Sequence, residues 1–286
     1  EWSEPLQFVS NCAPMTLGYT DNFEQYRGKV GEGAALRCWI KSGTDPYVAY
    51  PFQYNTSNTG RGVLKTDSVC LQMQNTSAYN STLATNNIVT SYLSTQALDV
   101  DSIEQAQVSF RAFASSATNA LGQFEIGVMT DPYDPTTYRA VYADTIPYNS
   151  ATKEWTYYTV NFLNYTADDY GDKGKHIVFR CMPGNSKTAP EKAYTNKIYF
   201  DDIVIEPYSP CSTPRRVKLV EVSENSATIE WHSPVSETYR IIAVQRDEAN
   251  PVIADVDTMV TTNPATITGL RANKGYYVFV QTCADG

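Results

Sequence analysis

The chain has 286 residues, 42% of them hydrophobic and 19% charged, with a net charge of −9 from 31 acidic and 22 basic side chains. That length allows two ordinary domains, and the apolar fraction supplies their cores, which excludes wholesale disorder. No basic cluster is denser than Arg215-Arg216, which excludes nucleic-acid binding, and no apolar run approaches the roughly eighteen residues that would span a bilayer.

Tyr, Ser, Thr and Asn are abundant and helical periodicity is nearly absent, which favours strands and polar turns. No signal peptide is visible, as expected of a mature or excised segment. The first run, Ser3-Glu-Pro-Leu-Gln-Phe-Val-Ser10, reads as a strand with Leu6 and Phe8 on one face. Alternating runs then recur through residues 13–208. They are Val69-Cys-Leu-Gln-Met-Gln, Val108-Ser-Phe-Arg-Ala-Phe, Phe124-Glu-Ile-Gly-Val-Met, Trp155-Thr-Tyr-Tyr-Thr-Val-Asn-Phe, Ile177-Val-Phe-Arg-Cys and Ile198-Tyr-Phe-Asp-Asp-Ile-Val-Ile. Two antiparallel sheets of about four or five strands each, burying one face per strand, make a jelly roll. After the turn-rich Pro207-Tyr-Ser-Pro-Cys-Ser-Thr-Pro214, six shorter strands follow at regular spacing to Thr282, the signature of a second β-sandwich. The fold class is all-β.

Six cysteines stand at 12, 38, 70, 181, 211 and 283, none in a Cys-x-x-Cys pair, and only two His are present. This argues against a zinc cluster and for three disulfides in an oxidising compartment. The expected bridges are Cys12–Cys38, Cys70–Cys181 and Cys211–Cys283.

Catalysis fails on inventory. His176 opens a core strand and His232 follows Trp231, so both have structural readings. No Gly-x-Ser-x-Gly, His-Glu-x-x-His or P-loop occurs, and no acidic pair stands out as a glycosidase dyad. A sugar platform could draw on Tyr47, Tyr50, Tyr54, Tyr133, Tyr138 and Tyr142, although among 21 tyrosines packing is the commoner role.

Asp21-Asn-Phe-Glu24, Gly127-Val-Met-Thr-Asp-Pro-Tyr-Asp-Pro135, Trp155-Thr-Tyr-Tyr-Thr-Val and Tyr199-Phe-Asp-Asp-Ile-Val carry a resemblance. Most of residues 15–207, within a domain expected to span 13–208, is similar to jelly-roll domains of Bacteroidetes-type surface proteins, related to MAM and choice-of-anchor J domains and to carbohydrate-binding modules. The resemblance implies a structural Ca²⁺ held by Glu24, Asp201 and Asp202. Asp67-Ser68-Val69, Asp101-Ser102-Ile103, Asp144-Thr145-Ile146 and Asp257-Thr258-Met259 resemble the O-glycosylation sequon of such organisms, which makes Ser68, Ser102, Thr145 and Thr258 acceptors. Asn55, Asn75, Asn80 and Asn164 open Asn-x-Ser/Thr sequons, relevant only to a eukaryotic secretory path.

Residues 209–286 resemble a fibronectin type III domain through Trp231 and the run Gly269-Leu270-Arg-Ala-Asn-Lys-Gly-Tyr276-Tyr-Val278-Phe-Val280. The family implies a tyrosine corner at Tyr276 and a seventh strand that this segment lacks. That strand usually reads Ser-x-Pro-x-x-Phe, which Ser3-Glu-Pro5-Leu-Gln-Phe8 matches at the other end of the chain. Residues 1–12 are thus expected to be the last strand of a preceding or neighbouring copy, with Leu6 and Phe8 completing the sandwich beside Tyr276 and Val278. The expected function is a non-catalytic repeat unit of a secreted or cell-surface bacterial adhesin, stalk or filament. Its partners would be neighbouring copies and surface glycans or other host or bacterial surface molecules, with no membrane insertion. The alternative is a carbohydrate-binding accessory region of a polysaccharide-processing enzyme.

Overall fold

The computed structural model describes residues 12–31, 34–43, 49–53, 69–75, 78–80, 85–87, 91–114, 122–146, 155–165, 173–182, 184–185, 193–194, 196–211, 214–233, 238–246 and 255–282. The chain divides into two compact units, one ending at Pro207 and the other starting at Tyr208.

In the first unit the strands are β1 (Tyr19–Asp21), β2 (Ile40–Gly43), β3 (Ala49–Gln53), β4 (Val69–Asn75), β5 (Ala78–Asn80), β6 (Thr85–Asn87), β7 (Ser91–Ser94) and β8 (Ala106–Ala114). They continue with β9 (Gln123–Met129), β10 (Arg139–Thr145), β11 (Thr156–Asn161), β12 (His176–Cys181), β13 (Gly184–Asn185), β14 (Ala193–Tyr194) and β15 (Asn196–Pro207). One sheet runs β11-β8-β15-β4-β3, with β1 also on β15; the other runs β10-β9-β12-β7-β2. The pairs β5/β6 and β13/β14 are separate two-stranded ribbons. Every strand pairing is antiparallel. This is the expected jelly roll, with six and five strands rather than four or five.

Alternation explains the layers. On β8, Val108, Phe110, Ala112 and Ala114 enter the inter-sheet core. Ser109, Arg111 and Phe113 take the opposite face, because successive strand residues point to opposite sides. The centre is an aromatic cluster, with Phe110 lying 5.3 Å from Phe179 and 5.7 Å from Phe200, ring centroid to centroid. Each such ring, fully buried, contributes roughly 1.5–3 kcal/mol.

The second unit stacks two three-stranded sheets. Its strands are β16 (Arg215–Val222), β17 (Ser226–His232), β18 (Tyr239–Gln245), β19 (Val256–Val260), β20 (Ala265–Thr268) and β21 (Tyr276–Thr282). The sheets run β16-β17-β20 and β19-β18-β21. Trp231 is buried against Tyr239 with ring centroids 4.9 Å apart. The Tyr276 hydroxyl accepts a hydrogen bond from the backbone N–H of Arg271 at 2.8 Å, closing the expected corner.

Cys12 and Cys38 are joined by a disulfide, with Cα atoms 5.5 Å apart. The expected Cys70–Cys181 bridge is absent: both are buried as thiols. Cys70 lies on β4 between Val69 and Leu71, which face the inter-sheet core, so its own side chain packs on the other face with Phe113 and Tyr199. Cys181 points into the core and its thiol donates to the Asn196 carbonyl at 3.6 Å. Strand parity therefore turns one sulfur away from the core that holds the other. Cys211 is disulfide-bonded; its expected partner Cys283 lies outside the described residues, as do Leu6, Phe8 and Ser68.

Candidate functional site

The outer face of the five-stranded sheet gathers an aromatic and charged cluster. On β9, Phe124, Ile126 and Val128 face the core, so Glu125, Gly127 and Met129 face outward. By the same parity β12 offers Val178 and Arg180, and β7 offers Tyr92. Arg180 is in register with Glu125 on one side and Tyr92 on the other. Its Nη1 lies 2.8 Å from Glu125 Oε2, and its guanidinium carbon lies 5.4 Å from the Tyr92 ring centre and 5.5 Å from that of Tyr138. The Tyr138 hydroxyl donates to the same Glu125 oxygen at 3.1 Å. Burial, followed by the Glu125 carboxylate, pushes the Tyr138 phenol far up, so it stays a neutral donor. Burial likewise raises Tyr92.

Gly127 makes this packing possible. A Cβ there would lie 2.3 Å from the Arg139 carbonyl oxygen and 2.5 Å from the Tyr138 ring. Only a residue without a side chain lets Tyr138 lie across the sheet.

The loop between β9 and β10 leads into this cluster and is tied by its own polar groups. Asp131 Oδ1 accepts from Tyr133 N–H at 2.8 Å, and Asp134 Oδ1 accepts from the Thr136 N–H at 2.9 Å. Thr137 donates to the carbonyl oxygens of Asp131 and Asp134. The Thr136 hydrogen bonds lower the Asp134 carboxyl. This bracing presents Tyr133 at 74% exposure. Of the other candidate tyrosines, Tyr142 packs partly buried against the core, the side chain of Tyr50 lies outside the described part, and so do Tyr47 and Tyr54. A braced, solvent-facing ring can stack on the apolar face of a ligand.

The outer face of the six-stranded sheet carries a buried ionic cluster at the residues expected to bind calcium. Arg111 contacts Asp201 and lies 3.1 Å from Asp202 Oδ2, and its guanidinium stacks 4.7 Å from the Trp155 ring centre. A register shift follows Asp201, and Asp202 takes a left-handed backbone with φ 50°. This bulge turns two consecutive carboxylates toward one guanidinium. Asp201 is pushed up to about 7 by burial, against the lowering pull of Arg111. Glu24 Oε1 accepts from the Val69 N–H at 2.9 Å while its other oxygen pairs with Arg27. Among the described residues no three His, Cys, Asp or Glu side chains form a metal-binding group. Arg111 engages Asp201 and Asp202, and the Val69 N–H and Arg27 engage Glu24. Arg111 was not singled out from sequence, although a charge inside the alternating run Val108–Phe113 was its signal.

His176 is structural. Its Nδ1 lies 2.8 Å from the Thr95 carbonyl oxygen, an acceptor only, so Nδ1 carries the proton. Of the glycosylation candidates, Thr145 is exposed near the end of β10. Ser102 is half-buried and caps a short 3-10 turn by accepting from the Glu104 N–H at 3.4 Å. Thr258 is half-buried opposite Ile241, on the core-facing side of β19. No helix among the described residues is long and apolar enough to cross a membrane.

Residues 212–286 match the fibronectin type III domain family. The fibronectin type III match coincides with the second unit and its tyrosine corner. No curated protein matches the sequence. Among solved structures the chain is similar to the K1 cleaved adhesin domain of Lys-gingipain from Porphyromonas gingivalis W83, at 15% identity over 67% of this chain and 98% of that one, TM-score 0.42. It is also similar to a family 11 carbohydrate-binding module from Clostridium thermocellum, at 15% identity over 62% and 93%, TM-score 0.30. A two-domain fibronectin type III segment of chicken tenascin shares 13% identity over 68% and 83%, TM-score 0.22. At such identities and TM-scores these likenesses say nothing of ligand or activity.

Proposed function

We propose that the chain is a non-catalytic unit of a secreted or cell-surface protein, repeated along an adhesin, stalk or filament and joined to its neighbours through the second sandwich. One observation carries this reading. Leu219 and Val222 of β16 are paired with buried, core-facing residues of β17, yet are 57% and 63% exposed, so among the described residues one long side of that sandwich offers an apolar face to a partner. Sedimentation velocity over a wide concentration range tests it. The reading expects mass to climb with concentration beyond that of a dimer, and a chain that stays monomeric throughout contradicts it.

A second reading, carbohydrate binding by the jelly roll, is favoured by Tyr133, exposed on the braced loop that leads from β9 to Tyr138. Soluble polysaccharides titrated into the protein should give a calorimetric signal that Tyr133→Ala removes while the melting temperature stays unchanged. Binding that survives Tyr133→Ala intact would place the ligand elsewhere.

A further inference from the structure

We propose that the cleft between β16 and β21 accepts, as an added strand, residues Ser3–Ser10 of a neighbouring copy; this rests on reading the chain as a unit that joins its own kind. Residues opposite each other in an antiparallel pair share a face. Leu219 pairs with Ile229 and Val222 with Ala227, and both partners are buried in the core, so Leu219 and Val222 face the core side. By their exposure, and the 40% exposure of Val217 two residues earlier, they stand uncovered by the other described residues. In the opposite sheet Tyr276, Val278 and Val280 of β21 pack only partly buried against the core, whereas Ile241 and Ala243 of the adjacent β18 are fully buried. The core is therefore open along the side bounded by one edge strand from each sheet. Among the described residues β16 pairs with β17 alone and β21 with β18 alone.

The shape of this opening selects a strand. Backbone N–H and C=O groups line the outer edge of β21, and only an extended chain can satisfy them in sequence while laying alternate side chains into the core. Ser3–Ser10 fits in length, pattern and charge. Its eight residues equal those of β16, and β21 has seven. Leu6 and Phe8 fall on one face, and Pro5, with no N–H, suits an edge position. Glu4 lies within the segment and Glu1 just before it, while β16 holds Arg215, Arg216 and Lys218 in a chain of net charge −9. The Cys12–Cys38 disulfide roots the segment in its own jelly roll. Donor and acceptor are different surfaces, so the contact is head-to-tail and can propagate along a chain of copies.

Complementation tests the assignment on the whole chain. A donor-blocked variant carries Leu6→Asp and Phe8→Asp; an acceptor-blocked variant carries Leu219→Asp and Val222→Asp, at positions already exposed. Each alone should be monomeric, with the dissociation constant for self-association raised by at least about tenfold. Mixed, they should form a one-to-one heterodimer and nothing larger, because one good donor meets one good acceptor. Circular dichroism verifies folding, and Val222→Lys, at the most exposed of these positions, replaces the double variant if that melts early. A parent that assembles while the donor-blocked variant assembles equally well overturns the strand assignment and leaves the repeat-unit reading standing. So does a mixture that stays monomeric. A monomeric parent defeats both.

Discussion

At the scale of single residues, the most heavily constrained group is Arg111. It is 3% exposed, stacked on Trp155 and in contact with the fully buried Asp201. Replacing it by Met would keep much of the volume but, above about pH 7 where Asp201 is ionised, strand a buried carboxylate, at a cost of roughly 3–5 kcal/mol. Urea denaturation of Arg111→Met should show that loss as a lower midpoint, and an unchanged midpoint would show the pair to be dispensable. Asp201 makes a separate prediction. Its folded value of about 7 lies above the ordinary 3.8, so the folded state holds a proton that the unfolded state releases between those limits. Stability from this group is complete below about pH 4 and is lost as pH rises toward 7. Asp201→Asn should flatten that slope relative to the parent in denaturation series across the range, and an identical slope in both proteins would refute it. The sequence showed a charge within a strand at Arg111 but not its partner, which stands 90 residues later. The parity of the cysteines stood in the sequence, where Cys70 alternates with Val69 and Leu71 while Cys181 shares the face of Ile177 and Phe179, and the expected bridge between them ran against it.

At the scale of elements, the strands and their faces followed from alternation, because a period of two leaves one side for the core. What alternation cannot give is the order of strands in a sheet, or the bulge that brings Asp201 and Asp202 onto one guanidinium. Gly127 shows the gap well: in sequence it is a weak point within Phe124–Met129, and in the structure it is the site over which Tyr138 lies. Gly127→Ala should displace Tyr138 and lower stability by about 1–3 kcal/mol, read as a lower melting temperature together with altered near-ultraviolet tyrosine dichroism. The Cys12–Cys38 bridge closes a loop with a sequence separation of 26 residues, which corresponds to about 3–4 kcal/mol of restricted unfolded-state freedom. A Cys12→Ser, Cys38→Ser variant should lose stability on that scale, and equal midpoints with the parent would show the bridge to be dispensable for the fold.

At the scale of the whole molecule, the two-sandwich organisation could be read from turn-rich Pro207–Pro214 and from the change in strand length on either side. The openness of the second sandwich could be read only as a missing strand; that β16 turns Leu219 and Val222 toward the core and leaves them uncovered needed the pairing register. The carbohydrate reading had a broad signal, many tyrosines; among the described ones Tyr133 stands out as exposed on a loop that the Asp131 and Asp134 hydrogen bonds brace.

The most direct measurement of the central claim is amide hydrogen exchange along β21 as a function of protein concentration. Half of its amides bond to β18, and the others point to the open edge. If neighbouring chains join by strand addition, the outward amides between Tyr276 and Thr282 gain protection as concentration rises and lose it on dilution, and Leu6→Asp with Phe8→Asp abolishes the gain. Outward amides that exchange equally fast at every concentration would contradict the account.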